Sequence, residues 1–313
     1  MNVYEIGCMK EKLSTNSYPG RGIVLGITPD GKKSVAAYFI MGRSVNSRNR
    51  IFALEPDGIR TEAHDPSLMK DPHLIIYHPV REAGCGLIVT NGDQTDTIWE
   101  YLAKGESWEA ALRTRCFEDD GPNWTPRISG IQANDGSYKM SILKAADAQG
   151  TACARFFYEN PAIAGLGHFL HTYVCDGNPV IPTFQGEPER VALCDDIDAF
   201  TAELWENLNP DNKISLFVRY TDLDFLHSFG CLSRIPSEMR VNGGEIVFLE
   251  FFDGQAGLYF LKIHSEFQSS RKLNYVLGCI LIGFGNKIHN RTIFKRCLII
   301  GIIFQADLDV FPF

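Results

Sequence analysis

The sequence has no apolar stretch long enough to cross a bilayer as a helix. The nearest candidate, residues 297–304, is far shorter than the roughly 20 residues that such a helix needs. Residues 1–12 also contain no long apolar run, so no secretory signal is expected there. We therefore expect a cytoplasmic protein that does not enter membranes.

Positive charge is also scarce. The chain has 30 Lys and Arg against 38 Asp and Glu, which gives a net charge of −8 at pH 7. No basic tract interrupts this acidic background, so binding of nucleic acid through bulk charge is not expected. The nine cysteines include no Cys-x-x-Cys pair, and their odd number fits reduced thiols better than a disulfide framework.

Two nucleotide-binding motifs are missing. The sequence contains neither Gly-x-Gly-x-x-Gly nor the Gly-rich Lys-Ser/Thr loop. Strands and helices do not alternate strictly either, which disfavours a Rossmann-type sheet.

The pattern of apolar residues predicts an α+β fold with two packed antiparallel sheets and helices outside them. Predicted strands lie at residues 23–28, 34–41, 50–54, 74–77, 87–90, 138–143, 154–158, 169–175 and 213–220. One more predicted strand follows the segment 123–129 and ends at residue 131. Predicted helices lie at residues 94–104, 108–117 and 190–208, after an N-terminal extension or short helix. Beyond about residue 222 apolar runs lose clean periodicity, so we divide the chain into a domain at 1–222 and a C-terminal extension at 223–313.

Residues 87–99 combine a buried strand, a polar turn and a helix start. Between Thr90 and Asp96 every residue except Gly92 carries a side chain that can form hydrogen bonds. Asp93 or Thr95 is placed to cap the helix. Such a turn can form a polar binding site, or it can simply be a well-capped connection.

Three arginines share the loop after the first predicted hairpin. Arg43, Arg48 and Arg50 alternate there with short polar side chains such as Ser44. The hairpin also brings Arg21 close to this loop. Guanidinium groups suit a phosphate or a carboxylate, although a solvated basic loop is the alternative.

A metal site has little support. His168, His171 and Cys175 would share a face only on a helix, and this segment is predicted as a strand. Three ligands without a clear fourth also make a poor zinc pattern. We therefore assign no metal ligands.

Several segments together resemble one family, the stand-alone archaeal-type IMP cyclohydrolases. The segments are Tyr18-Pro-Gly-Arg21, Arg43-Ser44 with Asn49-Arg50, Tyr77 with Arg81, the run from Thr90 to Ile98, and Thr125-Pro-Arg127. The resemblance covers residues 15–222, and the Asn-Gly-x-x-Thr-Asp-Thr-Ile and Thr-Pro-Arg-Ile motifs are its most specific parts.

The resemblance implies a four-layer αββα sandwich similar to the N-terminal-nucleophile hydrolases, without a terminal nucleophile. It also implies ring closure of 5-formamidoimidazole-4-carboxamide ribotide to IMP in purine biosynthesis. This reaction adds an amide nitrogen to a formyl carbon and expels water, so we expect no cofactor. The expected partner is thus a small purine ribotide, and the protein could form a homo-oligomer.

The matching motifs give a set of candidate residues for this reaction. Tyr77, Asn91 and Asp96 are the catalytic candidates, with Tyr77 as an acid or oxyanion donor and Arg81 as a nearby positive charge. Asp96 could equally hold an arginine in place. The substrate-binding candidates are Arg21, Arg43, Ser44, Arg50, Arg81, Thr95, Thr125 and Arg127.

Two other functions remain open. One is a non-catalytic purine-nucleotide-binding protein on the same scaffold, which the unusual C-terminal extension would suit. The other is an amidohydrolase that uses a processed N-terminal nucleophile.

Overall fold

The computed structural model describes residues 4–69 and 76–223, and beyond them four strands within residues 237–282. In these residues the fold is α+β, with two seven-stranded antiparallel sheets and five α-helices. Within the same residues, no helix is both long and apolar enough to span a membrane.

The labels follow the chain order. The first sheet contains β1 Arg21–Ile27, β2 Lys33–Met41, β10 Leu166–His171, β11 Glu189–Ala192, β12 Lys213–Asp222, β13 Ser237–Val241 and β14 Glu245–Leu249. Its strand order is β11-β10-β1-β2-β12-β13-β14. The second sheet contains, in order, β3 Ile51–Glu55, β4 Gly58–Glu62, β5 Val80–Ala83, β6 Gly86–Thr90, β7 Arg127–Ala133, β8 Tyr138–Ala145 and β9 Cys153–Asn160. A separate pair is formed by β15 Leu258–Ile263 and β16 Leu277–Ile282.

The helices are short. They are α1 Met9–Thr15, α2 Val45–Arg48, α3 Gln94–Ala103, α4 Trp108–Arg113 and α5 Ile197–Asn207, and a 3-10 helix covers Pro66–Leu68. In α5, the Asp196 side chain accepts hydrogen bonds from the Asp198 and Ala199 N–H groups, which begins the helix at Ile197.

Alternation along β2 places the two sheets face to face. Ala36, Tyr38 and Ile40 belong to one apolar cluster together with residues of the second sheet, such as Ile128 and Met140. The intervening residues of β2 face a second cluster that includes α1 and α5, and α3 and α4 pack on the outer side of the second sheet. The period of two along a strand therefore builds both layers.

The predicted β1–β2 hairpin is confirmed. Its turn needs Gly31, whose φ of 74° is favourable for glycine and whose N–H donates to the Thr28 carbonyl at 2.9 Å. The register pairs Arg21 with Ile40, so Arg21 lies beside the end of β2, where the arginine-rich loop begins.

Several predicted boundaries were wrong. The proposed helix at 190–208 begins as strand β11, and the helix proper is only α5. The strand predicted at 169–175 ends at His171, and the helix predicted at 108–117 ends at Arg113. Residues 74 and 75 of another predicted strand lie outside the described residues, whereas Ile76 and Tyr77 belong to no strand and the chain re-enters the sheet at Val80.

Candidate active site

Strand ends from both sheets meet at one edge of the layer between them. Arg21 begins β1, Arg50 lies immediately before β3, and Arg127 begins β7. Asn91 follows the end of β6, and Tyr173 follows β10. Antiparallel pairing thus brings together polar residues from five segments that are distant in sequence.

Glu118 is a buried carboxylate at the centre of this edge. Its Oε2 lies 3.9 Å from Nη2 of Arg21, and both side chains are largely buried. Burial raises the pKa of Glu118, although the positive charges of Arg21, Arg127 and Arg50 oppose the shift. Its charged form is thus costly to desolvate and is held by the arginines around it.

Arg21 and Arg50 share this carboxylate. Burial lowers the pKa of Arg21. Glu118 and the neighbouring tyrosines together raise it by more than burial lowers it, so the net shift is upward. The pKa of Arg50 is lowered, first by burial and then by the charge of Arg21. Nε of Arg50 donates to the Ser47 carbonyl at 2.8 Å, whereas the buried Nε of Arg21 has no hydrogen-bond partner. Two buried guanidinium groups beside one carboxylate favour an anionic ligand.

Three tyrosines complete the cluster. The hydroxyls of Tyr38 and Tyr77 are 2.9 Å apart, and burial raises the pKa of Tyr38 well above its ordinary value. The Tyr173 hydroxyl lies 2.6 Å from Oγ1 of Thr125, and burial raises the pKa of Tyr173 to about 12. The phenols of Tyr38 and Tyr173 are therefore neutral at physiological pH and can donate hydrogen bonds.

The Thr125–Arg127 segment is held from two sides. The Thr125 hydroxyl and backbone N–H both donate to the Asp120 carboxylate, at 2.5 and 2.7 Å. Nη1 of Arg127 lies 2.7 Å from Oδ1 of Asp93 and donates to Oε1 of Gln94 at 2.7 Å.

Asp93 occupies the N-cap position of α3, but its side chain makes no capping hydrogen bond. The carboxylate pairs instead with Arg127 and Arg115. Burial raises the pKa of Asp93, but these two arginines outweigh it and the net shift is downward. Asp93, which the sequence suggested as a helix cap, therefore uses its carboxylate in an ion pair that holds Arg127 in place.

Asn91 and Thr95 are buried within the turn between β6 and α3. Nδ2 of Asn91 donates to the Pro126 carbonyl at 2.8 Å, and its Oδ1 accepts from the Ile128 N–H at 2.9 Å. The Thr95 hydroxyl lies 2.6 Å from that of Thr90. The Asn91 contacts join the end of β6 to β7. The side-chain atoms of Asn91 and Thr95, which the sequence predicted to contact a substrate, thus have hydrogen-bond partners within the protein.

Asp96 and Arg81 belong to a separate surface network. Asp96 accepts from Nη1 of Arg81 at 2.9 Å and lies 3.0 Å from Nδ1 of His78. Nε of Arg81 donates to Asp57 at 2.7 Å, and its guanidinium stacks on Trp99. Asp96 thus holds an arginine in place, and its contacts are not with Arg21 or Arg50.

Arg43 and Ser44 lie at the rim. Nη1 of Arg43 donates to the Asp176 carboxylate at 2.5 Å, and its guanidinium lies over the Tyr18 ring. Tyr18 stacks in turn on Tyr173. Ser44 caps α2 in a reciprocal capping box with Ser47.

The histidines considered as metal ligands have separate environments. Nδ1 of His168 lies 2.7 Å from the Tyr138 hydroxyl, and burial lowers the pKa of His168 to about 4. Nδ1 of His171 donates to the Tyr173 carbonyl, and His171 lines a cavity of about 500 Å³ against α1. The two imidazoles therefore face different partners.

The structure thus brings together Arg21, Arg50, Tyr77, Thr125 and Arg127 from the predicted set. Sequence reasoning missed Glu118, Tyr38 and Tyr173. Tyr38 could have been noticed as the one phenol in a strand whose alternate residues are otherwise apolar. Nothing local in the run Glu118-Asp119-Asp120 distinguishes the buried carboxylate from its neighbours.

The family model described as "IMP cyclohydrolase-like protein" matches residues 18–224. This segment covers about two thirds of the chain and contains every residue of the cluster. The chain belongs to the IMP cyclohydrolase-like family. The match ends two residues after β12, so β13 and the strands after it lie outside the part shared with the family model.

The chain is also similar in sequence to individual proteins named IMP cyclohydrolase. A protein of Halobacterium salinarum named IMP cyclohydrolase is 33% identical over 133 residues, which are 41% of this chain and 63% of the relative. The IMP cyclohydrolase of Methanococcus aeolicus is 28% identical over 162 residues, which are 50% of this chain and 75% of the relative. The chain therefore spans a little under two thirds of the Halobacterium protein.

Proposed function

We propose that the chain is an IMP cyclohydrolase that closes 5-formamidoimidazole-4-carboxamide ribotide to IMP with loss of water. The observation that carries this proposal is the buried Glu118 beside Arg21 and Arg50, with the Tyr38–Tyr77 hydroxyl pair at the same edge. The names of the archaeal relatives support the same reaction.

The reaction needs three kinds of assistance. A weakly nucleophilic carboxamide nitrogen must lose a proton, negative charge develops on the formyl oxygen, and water must leave. Both reacting groups belong to one substrate, so holding them in contact removes much of the barrier. These needs can be met by side chains alone.

Glu118 is our candidate base for the carboxamide N–H. A carboxylate with a raised pKa accepts a proton more readily than an ordinary one, and the arginines keep a charged fraction available. Arg21 and Tyr77 would then stabilise the developing oxyanion with charge-assisted and phenolic hydrogen bonds.

Arg50 and Arg127 would hold the ribotide, with Thr125 as a hydroxyl donor and Arg43 at the rim. The charge of Arg21 lowers the pKa of Arg50, and a bound phosphate would relieve the repulsion between these two guanidinium groups. Asn91, Thr95, Asp96, Arg81 and Ser44 would act by holding these segments in place.

We also propose that residues 1–222 form the catalytic unit, a four-layer αββα sandwich similar to N-terminal-nucleophile hydrolases, and that 223–313 are an extension. The packing of α1 and α5 on one sheet, and of α3 and α4 on the other, supports this architecture. We place the protein in the cytoplasm, where thiols such as the six described free cysteines are kept reduced.

The test is turnover by the purified full-length chain. The formamido ribotide should be converted to IMP, followed by ultraviolet absorbance, without added metal. Arg21→Met should lower kcat/KM by about 10- to 100-fold, because a charge-assisted contact contributes roughly 1.5–3 kcal/mol. Arg48→Met is the matched control, since Arg48 bonds the Asp211 carbonyl at the surface.

Two results would contradict the proposal. Folded wild-type protein without turnover would exclude the enzyme, and calorimetric binding of IMP by that same protein would favour the nucleotide-binding alternative. Equal activity of wild type and Arg21→Met would show that the site lies elsewhere.

A further inference from the structure

Lys144 is a buried cation at the end of β8. It is 7% exposed and has the strand parity of Met140 and Ile142, which belong to the apolar cluster between the sheets. Its Nζ donates to the Phe184 carbonyl at 3.0 Å and to Oε1 of Gln185 at 2.9 Å. In the part of the chain that the structure describes, no carboxylate forms an ion pair with Lys144. Because lysines are rarely buried unless they are paired, this position calls for an explanation.

The two oxygens that Lys144 contacts end a hairpin that follows β10. We name residues 172–185 the rim hairpin. Within it, the Phe184 N–H donates to the Thr172 carbonyl at 2.9 Å, and the Val174 N–H donates to the Pro182 carbonyl at 2.9 Å. β10 belongs to the first sheet and β8 to the second. The ammonium of Lys144 therefore ties the rim hairpin of one sheet to a strand of the other.

The rim hairpin contacts two residues of the candidate active site. The Tyr173 hydroxyl lies 2.6 Å from Oγ1 of Thr125, which is our candidate hydroxyl donor to the ribotide. Oγ1 of Thr172 accepts a hydrogen bond from the Arg21 N–H at 3.1 Å. A shift of the hairpin relative to the second sheet would therefore change the distance between Tyr173 and Thr125.

We propose that Lys144 is a positioning residue for binding of the ribotide, because it fixes the rim hairpin and so holds Tyr173 against Thr125. This inference rests on the proposed function. It also explains why a charged side chain lies at this position. Burial lowers the pKa of Lys144, which shows that its charged form is costly here. An apolar side chain of similar length would avoid this cost but could not bond the hairpin.

The first experiment measures the tether without any substrate. Hydrogen exchange of the full-length protein is followed by mass spectrometry for wild type and Lys144→Met. Amides of the rim hairpin should exchange about 5- to 30-fold faster in the variant, because two hydrogen bonds that hold the hairpin are lost. Unchanged exchange in the rim hairpin would overturn the proposal.

Lys139→Met is the matched control. Lys139 lies on the same strand as Lys144 but pairs with Glu109 and Glu159, at 2.9 and 3.0 Å. Its replacement removes one positive charge from β8 without a contact to the rim hairpin. Exchange in the rim hairpin should therefore stay at the wild-type rate, and equal acceleration in both variants would contradict a specific tether.

The second experiment measures KM and kcat for the formamido ribotide. In Lys144→Met, KM should increase by about 3- to 10-fold while kcat stays within about twofold, because contacts that bind the substrate are loosened. A merely structural role would reduce the amount of active protein, which lowers the apparent kcat and leaves KM unchanged. Lys144→Arg, which keeps several N–H donors on a long side chain, should recover most of the wild-type KM.

The two experiments together separate the possible failures. Faster exchange with an unchanged KM would overturn the positioning role. An increased KM with unchanged exchange would assign Lys144 a direct contact with the substrate, and would also overturn it. Wild-type protein without turnover would count against the proposed function, whereas the exchange result would still show whether Lys144 holds the hairpin.

Discussion

Glu118 has an environment that makes its protonation state sensitive to pH. Burial disfavours its charged form, while Arg21, Arg127 and Arg50 favour it. The balance raises the pKa, so protonation begins at a higher pH than for an ordinary glutamate. A group that must be charged to accept a proton will then lose activity as pH falls through this raised value.

We predict that the acid limb of kcat/KM against pH lies above 4.5, the ordinary value for a glutamate. Glu118→Gln should abolish this limb and lower kcat/KM by about 100-fold or more, because it removes the proposed base. Steady-state rates across pH 4 to 9 check both expectations.

Glu106→Gln is the control for this experiment. Glu106 is exposed, so its variant carries the same change of charge without a change in the buried cluster. An unchanged acid limb in Glu118→Gln would assign the titration to another group.

At the scale of the elements, the turn between β6 and α3 joins the two halves of the second sheet. The buried side chains of Asn91, Gln94 and Thr95 are bonded to the backbone of β7 and to one another or to neighbouring groups of the turn. The side chain of Asn91 forms three hydrogen bonds, with the Pro126 carbonyl, the Ile128 N–H and the Gln94 amide. Asp93 and Gln94, at the start of α3, also pair with Nη1 of Arg127 and so hold this arginine in place.

We predict that Asn91→Ala lowers the free energy of unfolding by about 1–3 kcal/mol, because it leaves a buried N–H and a buried carbonyl without partners. Urea denaturation followed by tryptophan fluorescence measures the loss. Asn207→Ala, which removes a single half-buried hydrogen bond to the Glu203 carbonyl, should cost less.

The same variant tests the interpretation made from the sequence. If Asn91 contacts the substrate instead, Asn91→Ala will keep its unfolding midpoint and lose kcat/KM. A stable but inactive variant would therefore contradict the structural role.

The elements that the sequence predicted well are those with one clear period. β2 alternates between two apolar layers, so its strand and its hairpin with β1 followed directly. The segment 190–208 was misread because Val191 and Leu193 have the spacing of a strand, whereas the later apolar residues have that of a helix. Asp196, the N-cap between them, marks the true boundary.

At the scale of the whole molecule, the site depends on contacts that no local pattern contains. The Thr-Pro-Arg and Tyr-Pro-Gly-Arg motifs pointed to Arg21, Thr125 and Arg127 through family resemblance. Glu118 lies in an irregular segment, and only the packing of both sheets makes it the buried partner of Arg21. Burial of this kind is decided by distant strands, which is why the sequence could not distinguish it from Asp119 or Asp120.

The last prediction concerns the extent of the functional unit. Every residue of the candidate site and all three apolar clusters lie before residue 224, at which the family match ends. A chain shortened after residue 224 should therefore retain kcat/KM within about twofold. Its stability should be lower, because β12 loses its five paired positions with β13 and exposes a strand edge. Thermal unfolding and turnover, measured beside the full-length chain, separate these effects. Folded but inactive shortened protein would show that the extension contributes to the site, and would overturn the division at residue 222.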